Sequence, residues 1–159
     1  MNKIFVILPL FLAISFLVLP FGIFYDSQIM RIVSTSMLPT LQPNDLIIVK
    51  DIEIIDVEVG QIIVFDLDFE NLDSISHRVI AIGNDSDGKL GIDTKGDNID
   101  SPDSWTVYEE NLVGVVVDVI PYMGIFMIEP IRYILIAVII LTSISLLREH
   151  YKQEKTKNV

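Results

Sequence analysis

The 159-residue chain has no cysteine, two histidines and a single tryptophan. Without cysteine there are no disulfides, no thiolate zinc sites and no thiol nucleophile. An extracytoplasmic location stays open, because an adequate core needs no cross-link. Basic residues are scarce too: 11 Lys and Arg stand against 22 Asp and Glu, for a formal net charge of −11. That balance excludes a nucleic-acid partner, since phosphates have to be neutralised by Lys and Arg. Internal repeats, low-complexity linkers and long amphipathic stretches of period 3.6 are also missing. The length allows one ordinary domain and little more.

Apolar residues are present in excess, at 51% of the chain and a mean hydropathy of +0.53. Such a composition fits so acidic a protein only if the two properties occupy different segments. From Ile4 to Tyr25 there are 22 residues without a charge, about 33 Å of helix against roughly 30 Å of hydrocarbon. The run exceeds the roughly 7–15 apolar residues of a secretory signal and ends without an A-x-A-like cleavage site, so an uncleaved anchor is expected. A second apolar stretch, Pro130–Leu147, carries one charge, Arg132, placed near its end beside Tyr133 where it can snorkel. At about 27 Å it spans a thin bilayer; a buried core helix is the competing reading.

Lys3 lies at one end of this pattern, and Arg148, Lys152, Lys155 and Lys157 lie at the other. The positive-inside bias then puts both termini in the cytoplasm. The segment 26–130, with 20 acids and 5 bases, faces outward. The expected layout is an N-terminal transmembrane helix (4–25), an extracytoplasmic domain (26–129), a C-terminal transmembrane helix (130–147) and a basic cytoplasmic tail (148–159), in a cell membrane.

The middle segment reads as β. Ile29–Val33, Leu46–Lys50, Gln61–Phe65, Arg78–Ile82, Leu90–Thr94 and Leu112–Ile120 are Val/Ile-rich runs separated by turn formers. Asn84-Asp85-Ser86-Asp87-Gly88 suits a hairpin connection. The fold class expected is mainly β: a compact, mostly antiparallel domain flanked by two transmembrane helices.

Few residues here carry chemistry. His77 is the one histidine of the middle segment, and so its sole candidate imidazole base; the other, His150, lies in the tail. Ser36, within Ser34-Thr35-Ser36-Met37-Leu38-Pro39-Thr40, sits in a tight polar turn that can expose a hydroxyl and leave N–H groups free for an oxyanion. Carboxylates cluster in Lys95-Gly96-Asp97-Asn98-Ile99-Asp100-Ser101-Pro102-Asp103. Taken singly, each segment reads as an ordinary strand or loop.

Together they resemble a family. Ser34-x-Ser36-Met37-x-Pro39-Thr40, Ser76-His77-Arg78-Val79 and Lys95-Gly96-Asp97-Asn98 with Asp103 are similar, in order and spacing, to the boxes of type I signal peptidases. The subtype is that of archaea and the endoplasmic reticulum, because His77 stands where the bacterial enzymes have a lysine. The likeness extends through Val59–Phe65 and Gly114–Val116 to Ile120-Pro121-Tyr122-Met123-Gly124. It implies a membrane-bound serine endopeptidase that removes signal peptides after small residues. Ser36 would be the nucleophile, His77 the base and Asp103 the carboxylate that orients it. Asp97 would support the site, with the roles of Asp97 and Asp103 exchangeable, and Ser34 would assist the oxyanion hole. The partners implied are signal-peptide-bearing preproteins, the lipid bilayer and the secretion machinery; no cofactor or metal is implied.

Two rival readings are weighed. One is a noncatalytic, outward-facing binding module, for which Asp85-Ser86-Asp87-Gly88 would suggest calcium; but with Gly88 as position 6 of an EF-hand loop, positions 1 and 12 fall on Gly83 and Thr94, where Asp and Glu ligands are needed. An inactive member of the peptidase fold is disfavoured because Ser36, His77, Asp97 and Asp103 are all present.

Overall fold

The computed structural model describes residues 8, 9, 11, 12, 14, 15, 27–67 and 74–157. Seven strands are formed among them: β1 (Ser27–Arg31), β2 (Leu46–Lys50), β3 (Ile62–Phe65), β4 (Ile75–Asn84), β5 (Leu90–Lys95), β6 (Thr106–Val107) and β7 (Leu112–Ile120). They make a single sheet in the order β1-β2-β7-β3-β4-β5-β6, and every pairing is antiparallel. The strands belong to one compact unit, Ile23–Gly124.

β3 explains why the runs of Ile and Val form this sheet. Branched side chains suit the pleated backbone, and alternate residues of a strand point to opposite faces. Ile63 and Phe65 enter a core cluster with Val79, Ile92 and Val107. Val64, between them, enters a second cluster with Ile32, Met37, Leu41, Ile47 and Val49. With apolar layers on both of its faces, β3 is buried throughout its last three residues.

The expected hairpin joins β4 to β5, with Asn84 opposite Leu90. The Asp85 carboxylate closes the turn by accepting N–H bonds from Asp87 and Lys89 and the Tyr108 hydroxyl proton. Gly88 supplies the positive φ of +80° that such a turn demands. β4 begins three residues ahead of the expected Arg78, which places Ser76 and His77 inside the sheet, His77 opposite Ile63. β1 ends two residues earlier than expected, at Arg31; Ile32 bonds the backbone of Asn44 and Asp45, after which Val33 is 58% exposed.

One long helix, α1 (Glu129–Lys157), follows. Its segment Glu129–Glu149 is, among the described residues, the one helix long and apolar enough to cross a membrane. Ile134 and Leu141 on it are 62% and 66% exposed, unlike side chains of a core helix. The helix runs on through the basic segment to Lys157. Of the expected first span, 4–25, only residues 8, 9, 11, 12, 14 and 15 are described, and these are helical; the rest lies outside the described residues.

Candidate active site

Ser36 sits in the turn that follows β1. Leu38 N–H bonds Thr35 C=O, and Leu41 N–H bonds Met37 C=O, so the chain coils back on itself. Ile32, Met37 and Leu41 anchor the turn in the core, while Ser34 and Thr35 stay exposed. The Ser36 hydroxyl is thus presented on a fixed backbone beside a cleft of about 350 Å³, which Ser34, Ser36, Ile75, His77 and Trp105 help to line. Ser36 Oγ hydrogen-bonds Ser34 Oγ at 3.1 Å.

His77 is only 7% exposed, held in β4 with its ring edge-on to Phe65 at 6.4 Å between centroids. Nδ1 lies 2.6 Å from Asp103 Oδ2. An ionised carboxylate only accepts, so Nδ1 carries the proton and the neutral ring has its lone pair on Nε2. Nε2 faces Gly96: a Cβ there would stand 3.1 Å from Nε2 and 2.8 Å from the Ser36 carbonyl oxygen. The imidazole and the Ser36 carbonyl thus both border the space that a side chain at Gly96 would take, as does Ile99 Cγ1. Ser36 Oγ makes its hydrogen bond to Ser34 rather than to His77, though both side chains border the same cleft. Catalytic hydrogen bonds are often formed only once substrate is bound.

The two candidate carboxylates, Asp97 and Asp103, have separate partners. Asp103 donates its N–H to Thr94 C=O over 2.9 Å, and its Oδ2 accepts from Thr94 Oγ1 over 2.7 Å as well as from His77. Asp97 forms a two-pronged pair with Arg78, from Nε at 2.8 Å and Nη2 at 2.7 Å, and accepts a hydrogen bond from Thr40. Arg78 holds the Asp97 carboxyl below its ordinary value, against the opposing effect of burial, with Thr40 adding to the shift. Asp97 in turn raises Arg78. Asp97 therefore links the turn after Ser36 to the strand of His77. Next to it, Asn98 N–H bonds Ser36 C=O at 2.8 Å, and Asn98 Nδ2 bonds Thr35 C=O at 3.2 Å.

The structure thus brings Ser34, Ser36 and His77 to one cleft, with Asp103 joined to it through His77 and Asp97 held apart on Arg78. The sequence reading did not single out Thr94, Thr40 or the contact role of Asn98. Thr94 stands in a strand, where a threonine is an ordinary residue. Among the described residues no three His, Asp or Glu converge as metal ligands. A serine hydroxyl, an imidazole and a carboxylate bonded to that imidazole are groups that nucleophilic acyl transfer can use.

Comparison with known proteins gives the family of the chain. Residues 3–103 match the model of the family described as signal peptidase, peptidase S26, and the chain belongs to that family. Among curated proteins it is 35% identical over 107 residues to the signal peptidase complex catalytic subunit SEC11 of Colletotrichum graminicola, covering 62% of this chain and 60% of the relative. It is 30% identical over 106 residues to SEC11 of Eremothecium gossypii, covering 62% of each. To SEC11C of Rattus norvegicus it is 28% identical over 126 residues, covering 71% of this chain and 65% of the relative. The matched region spans less than two thirds of the length of each of these relatives.

Proposed function

We propose that the chain is a membrane-anchored serine endopeptidase that cleaves signal peptides from preproteins after small residues. The observation that carries this reading is the geometry of His77. One ring nitrogen is bound to Asp103, and the other is turned toward Gly96 and the Ser36 backbone.

In the reaction the Ser36 hydroxyl rotates from Ser34 to His77 Nε2, which takes its proton as Oγ attacks the scissile carbonyl. The oxyanion is met by the Ser36 N–H with help from the Ser34 hydroxyl. His77 then gives the proton to the departing amine, leaving the signal peptide as an ester on Ser36. Water, activated by the same imidazole, releases it. Asp103 remains ionised throughout and stabilises the imidazolium. Asp97 keeps the Ser36 turn registered against β4 through Thr40 and Arg78.

The substrate enters as an extended chain. Val33 and Ser34, which follow β1, and Ser74–Ser76 border the cleft, where an extended substrate can lie along them. Membrane attachment suits a substrate whose apolar segment lies in the bilayer. Glu129–Glu149 is one span, and the uncharged run 4–25 is the other. Both termini then lie in the cytoplasm and the acidic domain outside. The names of the SEC11 relatives include a signal peptidase complex, and partner subunits are expected here too.

The ester intermediate gives the test. After rapid acid quenching of a reaction with preprotein, mass spectrometry should find the signal peptide attached to the Ser36 peptide, and a chelator should leave the rate unchanged. An adduct on another residue, or none while cleavage proceeds, rejects the mechanism.

A further inference from the structure

Thr94 is wholly buried. In β5 it lies opposite Val79 of β4, on the face of the sheet that carries His77. Packing alone gives no reason for a hydroxyl there: valine has nearly the same shape, and a buried hydroxyl is unfavourable unless it is bonded. Among the described residues its one side-chain hydrogen-bond partner is Asp103 Oδ2, at 2.7 Å. That is the oxygen that accepts from His77 Nδ1 at 2.6 Å. Thr94 grips Asp103 a second time through its carbonyl, which accepts the Asp103 N–H at 2.9 Å.

Asp103 needs such a hold. It lies outside the strands, directly after Pro102, in the irregular stretch between β5 and β6. The rotation of a carboxylate about its last bond is soft, and one bond to a histidine does not fix it. Two donors converging on one oxygen, together with an anchored backbone, do. We infer that Thr94 is a positioning residue of the proposed peptidase: its hydroxyl and carbonyl lock Asp103 so that Oδ2 faces His77 Nδ1. Thr94 touches no reacting atom and acts on His77 only through Asp103. The inference rests on the reading of Ser36, His77 and Asp103 as the reacting set.

The test compares Thr94→Val and Thr94→Ser in the full chain in detergent. A hydrogen bond to a charged group has a strength that corresponds to a rate change of about 10- to 100-fold. Thr94→Val should lower kcat by that factor while KM stays within about twofold, and Thr94→Ser, which keeps the donor, should recover most of the loss. The second readout needs no activity. Ring-¹⁵N-labelled histidine gives signals from only two imidazoles, since the chain has two histidines, and His150→Ala assigns them. The His77 Nδ1–H resonance should move in Thr94→Val and hold in Thr94→Ser.

Wild-type turnover by Thr94→Val, equal losses in the Val and Ser variants, or a His77 signal indifferent to Thr94→Val would each overturn the inference. Failure of the peptidase reading itself looks different: wild-type protein that cuts no preprotein, while its His77 resonance still answers to Thr94→Val.

Discussion

Two carboxylates six residues apart, Asp97 and Asp103, do different work, and the difference lies in which cation or donor each meets. Asp103 lies on the uncharged side, against His77 and Thr94; Asp97 is neutralised by Arg78. Replacing Asp103 by Asn should leave the fold intact and reduce kcat by about 10³–10⁴-fold, because an amide holds the imidazole in the wrong tautomer. Steady-state kinetics on a synthetic preprotein measures it. Asp97→Asn should act on stability instead. The folded-state pKa of Asp97 is depressed, chiefly by the hydrogen bonds from Arg78. Its contribution is therefore complete above the unfolded value of about 3.9 and is lost as pH falls through the folded one. The difference in Tm between wild type and Asp97→Asn should be constant from pH 5 to 8 and shrink toward pH 3. Spacing alone left these two residues interchangeable, since loop residues after Gly96 give no sign of which carboxylate folds back toward β4. Arg78, directly after His77, was the unused clue: neighbours in a strand point to opposite faces, so each takes its own acid.

Among the elements, β3, β4 and the ends of β5 and β1 fix the site, and most of them were legible. Runs of Ile and Val bounded by Asn, Asp, Gly and Pro located six strands to within three residues at either end. The seventh, β6, is two residues long and pairs only Thr106 and Val107 with β5; nothing so short produces a pattern. The turn between β5 and Asp103 was seen as a loop, but its steric role was not. Gly96 leaves no room for a Cβ, which would come within 2.8 Å of Ser36 O and 3.1 Å of His77 Nε2. Gly96→Ala should therefore push the nucleophile turn and the imidazole apart, and displacements of around 1 Å cost about 100-fold in rate. The circular dichroism spectrum should stay that of the wild type. A Gly96→Ala enzyme with full activity would mean that the Ser36 turn and His77 need not meet there.

At the scale of the whole molecule, the scarcity of basic residues and the abundance of apolar ones separate by segment. The acids belong to 26–130, which is net −15, and much of the apolar excess belongs to 4–25 and to α1. The second of these was readable from hydropathy and forms a helix on which large apolar side chains such as Ile134, Val138 and Leu141 are exposed. The absence of cysteine makes the proposed topology directly testable with single introduced thiols. In intact cells Asp87→Cys should react with an impermeant maleimide, while Thr156→Cys should react only after lysis; the reverse pattern would invert the orientation. The most direct measurement of the central claim is cleavage itself. Full-length protein purified in detergent is mixed with a preprotein, and the new N-terminus is sequenced. The wild type should yield one product, cut after a small residue, while Ser36→Ala and His77→Ala, folded as the wild type, should yield none. Undiminished cleavage by His77→Ala would contradict the account.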